Sequence, residues 1–136
     1  MLKDFLSRLH SDLKRTDVFS FDEKEKSVTF SPREGIDLFL KEMEKGYYFH
    51  AKIIACPQIK KEDLFLYLMK ANLLGRGTGG SSIGLDPQEN LTLSHSLAYE
   101  LTYTEFKERI EDFVNYLLYW REEVEKFERQ AKETLY

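Results

Sequence analysis

The chain has one cysteine in 136 residues, so no internal disulfide can form, and a fold of this size has to be held by its core alone. Cys56 as a lone thiol suits a reducing compartment. The sequence offers it no general base or oxyanion site, so no catalytic role is read for it. There are three histidines, and none of His10, His50 and His95 stands three or four residues from another ligand in a metal-binding spacing. No metal, cofactor or catalytic group is expected. No apolar run approaches the roughly 18 residues of a spanning helix. Lys3, Asp4 and Arg8 break up the start, so neither membrane insertion nor a secretory leader is expected. Clustered basic residues are missing too: Glu25 separates Lys24 from Lys26, and Glu62-Asp63 follow Lys60-Lys61. With a net charge of −4, the chain is a poor match for a phosphate backbone, and nucleic acid is not expected as a partner.

What is present is 42% hydrophobic and 32% charged residues, enough for a core beneath a solvated surface. The length fits a single domain over residues 1–136. Leu2, Phe5, Leu6, Leu9 and Leu13 recur at helical spacing. The period then changes: Val28 and Phe30 alternate in a strand closed by Pro32, and Ile36, Leu38 and Leu40 alternate in the next. After a turn at Glu44-Lys45-Gly46 comes an aromatic and β-branched run from Tyr47 to Ala55. Lys61 to Leu74 is helical again, with Gly75 as its left-handed cap. Two strands follow, Ile83–Leu85 and the alternating Leu91 to Leu101. Thr102 and Glu105 form a capping box. They open a long helix with an inner stripe of Phe106, Ile110, Phe113, Val114, Leu117, Trp120 or Arg121, Val124, Phe127 and Ala131. The predicted order is helix, three strands, helix, two strands, helix: an α+β fold with an antiparallel sheet flanked by helices.

The segment Gly75 to Gly84 is the feature closest to an enzyme motif, since a glycine loop can aim amides at phosphate. It lacks the Lys-Ser/Thr pair of a P-loop. It also follows a helix and precedes a strand, the reverse of a dinucleotide fingerprint. The dense Glu and Asp of the last helix interleave with Lys and Arg three or four apart, as on a solvated face. Apolar residues occupy both faces of the second and third strands, with Phe39 opposite Ile36, Leu38 and Leu40, and Ile54 opposite Phe49, Ala51 and Ile53. Cover for both faces comes either from a larger single core or from another chain.

The stretch Leu68-Met69-Lys70-Ala71-Asn72-Leu73-Leu74-Gly75, then Gly79-Gly80, Ile83-Gly84-Leu85-Asp86 and Leu91-Thr92-Leu93-Ser94, followed by Phe113-Val114 and Trp120, resembles the signature region of the class I type III secretion chaperones (the Tir chaperone, or CesT-like, family). The resemblance spans about residues 60 to 125. It implies a non-enzymatic cytoplasmic protein of a Gram-negative bacterium. Such a protein binds the N-terminal segment of a secreted effector, keeps it soluble and secretion-competent, and presents it to the secretion apparatus and its ATPase. It also implies a homodimer, or a heterodimer with a related chaperone. On this basis the grip on the effector falls on Leu2, Phe5, Leu6, Leu9, Phe39, Tyr48 and Ile54. The dimer contact falls on Phe65, Leu66, Tyr67, Met69 and Leu73, with Leu93 and Leu97 of the strand reaching Tyr99. Two alternatives stay open: a small phosphate- or ligand-binding enzyme built on the Gly75–Gly84 loop, and a regulatory adaptor that sequesters a secretion or transcription regulator.

Overall fold

The computed structural model describes residues 1–13, 20–73, 77–98 and 100–134. The elements are α1 (Leu2–Asp12), β1 (Phe21–Asp22), β2 (Ser27–Arg33), β3 (Ile36–Met43), β4 (Gly46–Ala55), α2 (Lys61–Asn72), β5 (Ser82–Leu85), β6 (Asn90–Leu97) and α3 (Tyr103–Glu133). The six strands form one sheet in the order β1-β2-β3-β4-β6-β5. The β1–β2, β2–β3, β3–β4 and β5–β6 pairings are antiparallel. The α+β class and the element order match the sequence pattern, with four local differences, one being that β6 ends at Leu97 and not at Leu101. A fourth strand, β1, precedes the expected three; at two residues it is too short to show a period. Pro32 does not close β2 but sits where the β2–β3 register shifts between Phe30 and Arg33, a place where a missing amide is tolerated. Helix α2 stops at Asn72 because Leu73 is already extended, with φ −61° and ψ 119°. The expected cap Gly75, together with Leu74 and Tyr99, lies outside the described residues.

The chain divides into two compact units. One comprises Met1–Ala51 and His95–Glu111, the other Lys52–Ser94 and Asp112–Tyr136. In the first, alternation puts Val28 and Phe30, then Ile36, Leu38 and Leu40, then Tyr47, Phe49 and Ala51 on the buried face. Leu2, Leu6 and Leu9 of α1 add their buried stripe, each side chain contributing on the order of 2 kcal/mol. Phe106, fully buried, contacts Phe5 at 5.1 Å, Tyr47 at 5.7 Å and Phe49 at 6.0 Å between ring centroids. Helix α1 has no capping side chain of its own. Glu42 of β3 takes that role from a distance: its Oε1 accepts the Leu2 amide at 2.9 Å, and Lys26 lies 3.9 Å from Oε2. At the β3–β4 hairpin, Met43 pairs with Gly46. Gly46 has φ +142°, and a Cβ there would lie 1.7 Å from the Leu97 carbonyl oxygen.

The second unit is centred on Trp120, which is 2% exposed. Its indole N–H donates to the Gly77 carbonyl at 2.8 Å, and the Tyr67 and Tyr119 rings pack at 5.5 Å and 5.2 Å. Arg121, the alternative inner residue, instead donates from Nε to the Ile53 carbonyl at 2.8 Å and from Nη2 to the Lys52 carbonyl at 3.1 Å. Asn72 fixes the end of α2 to the edge strand β5. Its Nδ2 donates to the Ile83 carbonyl at 2.9 Å, and its Oδ1 accepts the Ile83 amide at 2.8 Å.

Gly46→Ala should cost about 3 kcal/mol or more, because the new methyl meets backbone on backbone that cannot turn aside; urea unfolding measures it. The capping box of α3 is reciprocal, with the Glu105 amide donating to Thr102 Oγ1 at 3.2 Å and the Thr102 amide to Glu105 Oε1 at 3.0 Å. The bond from the Thr102 amide holds the Glu105 carboxyl below its ordinary 4.5. Its stabilising effect is therefore complete above that pH and fades as pH falls through the lowered value. Unfolding midpoints between about pH 5 and pH 3 should fall less steeply in Glu105→Gln than in the parent chain.

Candidate partner-binding surfaces

Helix α2 turns Leu64 and Leu68 inward, at 0% and 4% exposure, and leaves Leu66, Met69 and Leu73 at 54%, 67% and 67%. These three lie at i, i+3 and i+7, which is one helical face. Isolated exposed leucines are ordinary, but a stripe of large apolar side chains along one helix marks a contact surface. Leu85, on the β5 strand that Asn72 ties to α2, is 47% exposed. Of the residues expected at a dimer contact, Leu66, Met69 and Leu73 thus share an open face. Phe65 and Tyr67 are half-buried, and the Tyr67 hydroxyl donates to Glu123 Oε2 at 2.8 Å. Burial, followed by that carboxylate, pushes the phenol well above its ordinary value. Leu93 and Leu97, at 0% and 6%, are taken up by the chain's own core. Their strand alternates, and these positions fall on its inner face.

The residues expected to grip an effector also divide. Leu2, Leu6 and Leu9 are buried at 0%, 0% and 3%. Phe5 is half-buried between Tyr47, Tyr103 and Phe106. Phe39 and Tyr48 stand on the sheet face opposite the core, their rings 6.5 Å apart edge to face. His50 continues the patch: it is the cross-strand partner of Phe39, stacks on Tyr48 at 6.0 Å, and places Nδ1 3.2 Å from the Tyr48 hydroxyl. In the other unit, Ile54 is half-buried. His50 was not singled out from the sequence, although its i+2 relation to Tyr48 on a strand was the available signal.

A model of the Tir chaperone protein (CesT) family matches residues 4–121. The chain belongs to that family. Among solved structures it is similar to a chain of the ExsC–ExsE complex, with a TM-score of 0.74 and 15% identity over 90% of this chain and 92% of that one. It is also similar to a chain in the structure of the Yersinia pestis type III secretion chaperone SycH with a stable fragment of YscM2, with a TM-score of 0.64 and 13% identity over 85% of this chain and 95% of that one. At such identities the likeness concerns the fold. A relative from Chlamydia pneumoniae is 36% identical over 64 residues, which make up 47% of this chain and 49% of the relative; the match spans about half of either protein. No helix among the described residues is long and apolar enough to cross a membrane.

In this CesT-family chain the glycine loop serves packing. Gly79 and Gly80 have φ +63° and +89°, and a Cβ on Gly79 would lie 2.3 Å from the Tyr116 ring. The Gly77 carbonyl is engaged by Trp120. Buried Thr78 donates its hydroxyl to the Ser81 carbonyl, and the Ser81 amide returns to the Thr78 carbonyl at 3.1 Å. Gly79 therefore sits where an aromatic ring leaves no room for a side chain. The spacing alone could not show this, because Tyr116 is 37 positions away in sequence (116 − 79). Cys56 is buried, burial raises its thiol above the ordinary value, and its Sγ lies 3.4 Å from the Pro57 carbonyl oxygen. A protonated, enclosed thiol is a weak nucleophile.

Gly79→Ala should destabilise by about 2–3 kcal/mol, through the clash and the left-handed backbone together. Adding Tyr116→Ala should return part of that loss, leaving the backbone share of about 1 kcal/mol. A double-mutant unfolding cycle with no coupling would remove Tyr116 as the reason for the glycine.

Proposed function

We propose that the chain is a type III secretion chaperone that binds the N-terminal segment of a secreted effector in the bacterial cytoplasm, keeps it soluble and secretion-competent, and performs no catalysis of its own. Residues 1–136 act in this reading as one chaperone domain. The observation that carries it is the apolar stripe left exposed on a CesT-family fold, Leu66, Met69 and Leu73 along α2, together with the half-buried aromatic pair Phe39 and Tyr48 on the sheet face opposite the core. The two surfaces suit different partners. The α2 stripe is aliphatic and regular, which fits a second copy or a related chaperone packing helix to helix. The aromatic patch fits an extended segment that presents alternate side chains to a sheet face. Ordering such a segment costs several kcal/mol, so a large wrapped surface is needed, and two chains supply more of it than one. The similar structures, a complex of ExsC with ExsE and one of SycH with a YscM2 fragment, support a polypeptide as the captive.

Phe5 takes part only through its exposed edge, and Leu2, Leu6 and Leu9 serve by holding α1 in place. The phosphate-binding reading of the glycine loop has less support, because the amides of Gly77, Ser81 and Ile83 already donate to Ala71, Thr78 and Asn72 and Gly79 lies against the Tyr116 ring. A regulatory adaptor would use the same surfaces and differ only in the captive.

Leu66→Glu with Met69→Glu should turn a dimer into a monomer of unchanged helical content, read by light scattering and circular dichroism. Phe39→Glu with Tyr48→Glu should leave the dimer intact and weaken capture of the copurifying protein at least tenfold, about 1.4 kcal/mol. A parent chain that is monomeric and copurifies with no polypeptide would refute the chaperone reading.

A further inference from the structure

The chain's sulfur lies in three methionines and in Cys56. Methionine is ordinarily among the most buried residue types, yet none of the three is in the core: Met1, Met43 and Met69 are 55%, 50% and 67% exposed. Cys56 is the reverse. It is 6% exposed, and burial holds its thiol above the ordinary value, so it carries little of the thiolate that oxidants attack. An oxidant in solution therefore meets the thioethers first. Met1 and Met43 belong to the first compact unit, and Met69 is the single methionine of the second.

Met69 also stands at the centre of the exposed α2 stripe, between Leu66 and Leu73. A thioether there is apolar, unbranched and adaptable, which suits packing against another chain. Its sulfoxide is polar: it sets an S–O group in the middle of the stripe, and burying such a group without a donor is unfavourable. In an isologous contact each chain brings its own Met69, so the penalty is met twice. The helix itself is indifferent to the change. Leu64 and Leu68, which hold α2 to the core, carry no sulfur, and residue 69 faces solvent.

We propose that Met69 is an oxidation site through which a peroxide controls pairing of the chain along α2. One oxygen atom passes from the peroxide to Met69. A lone pair on Sδ attacks the O–O bond, the S–O bond forms as the O–O bond breaks, and the departing hydroxide takes the proton left on the transferred oxygen and leaves as water. Sulfur loses two electrons and the peroxide gains them; a sulfoxide reductase drawing on a thiol reductant reverses the step. The proposal rests on the reading of the α2 stripe as a pairing face and adds its regulation. The paired chain shelters Met69, the single chain exposes it, and the oxidised chain pairs more weakly.

The test adds hydrogen peroxide to the full chain, locates the oxidised methionines by mass spectrometry and reads pairing by light scattering. Met69 should oxidise more slowly in concentrated, paired solution than in dilute solution, while the rate at Met43 stays the same. Oxidation at Met69 should weaken pairing about tenfold, the scale of burying one unpartnered polar group, with helical content unchanged, and reductase treatment should restore it. Met43→Leu should respond as the parent does. Met69→Leu has no sulfur at the site, so its pairing should be the same before and after peroxide. Met69→Gln, polar and of similar length, should pair about tenfold less well than the parent with no peroxide added. Pairing that survives full oxidation of Met69, or that peroxide abolishes equally in Met69→Leu, would overturn the switch. A parent chain that stays monomeric at every concentration, with Met69 oxidising at one rate throughout, refutes the pairing reading itself, and the switch falls with it.

Discussion

Both compact units are built against the buried stripe of one helix. Phe106 and Ile110 of α3 enter the core of the first, and Phe113, Leu117, Trp120 and Val124 that of the second. As in most folded proteins, the stability of the 31-residue α3 comes mainly from what packs on its apolar face rather than from intrinsic propensity. Within the second unit Trp120 gathers the most: its ring takes Tyr67 from α2, and its indole N–H donates to the carbonyl of Gly77. Removing so large a buried side chain typically costs 3–5 kcal/mol. Here it would also orphan a carbonyl and release a loop.

Much of this was legible in the chain. The inner stripe of α3, the capping box at Thr102 and Glu105, and the alternation in β3, β4 and β6 are local patterns, and local patterns survive folding when they agree with tertiary packing. Three other features could not be read because their causes are distant in sequence. Glu42 reads as an ordinary strand residue until α1 arrives to need a cap. Gly79 reads as flexibility until Tyr116 lies over it. Asn72 reads as part of a helix end until β5 passes beside it.

The partner surfaces were half legible for a related reason. Core and interface share a composition, so spacing assigns a face but not which face looks outward. On α2 the residues Leu64, Leu66, Leu68 and Met69 are chemically alike, and only the packed helix separates the buried pair from the exposed pair. On β4 the alternation of Tyr47 with Tyr48 was plain. The consequence, that one tyrosine anchors a core while its neighbour is half-buried on the opposite sheet face, needed the fold. The carry-over from the family named three α2 residues that the fold leaves exposed, and α1 leucines that the chain's own core takes up.

Asn72 has a consequence for solubility. A side-chain amide presents an N–H donor and a carbonyl acceptor side by side, so at Ile83 it takes the place that a facing residue of a next strand would have. Edge strands are where β proteins polymerise, and β5 is an edge. Here the outward backbone pair of Ile83 is already spent on a helix end, so a further strand meets an occupied position at the middle of this short edge.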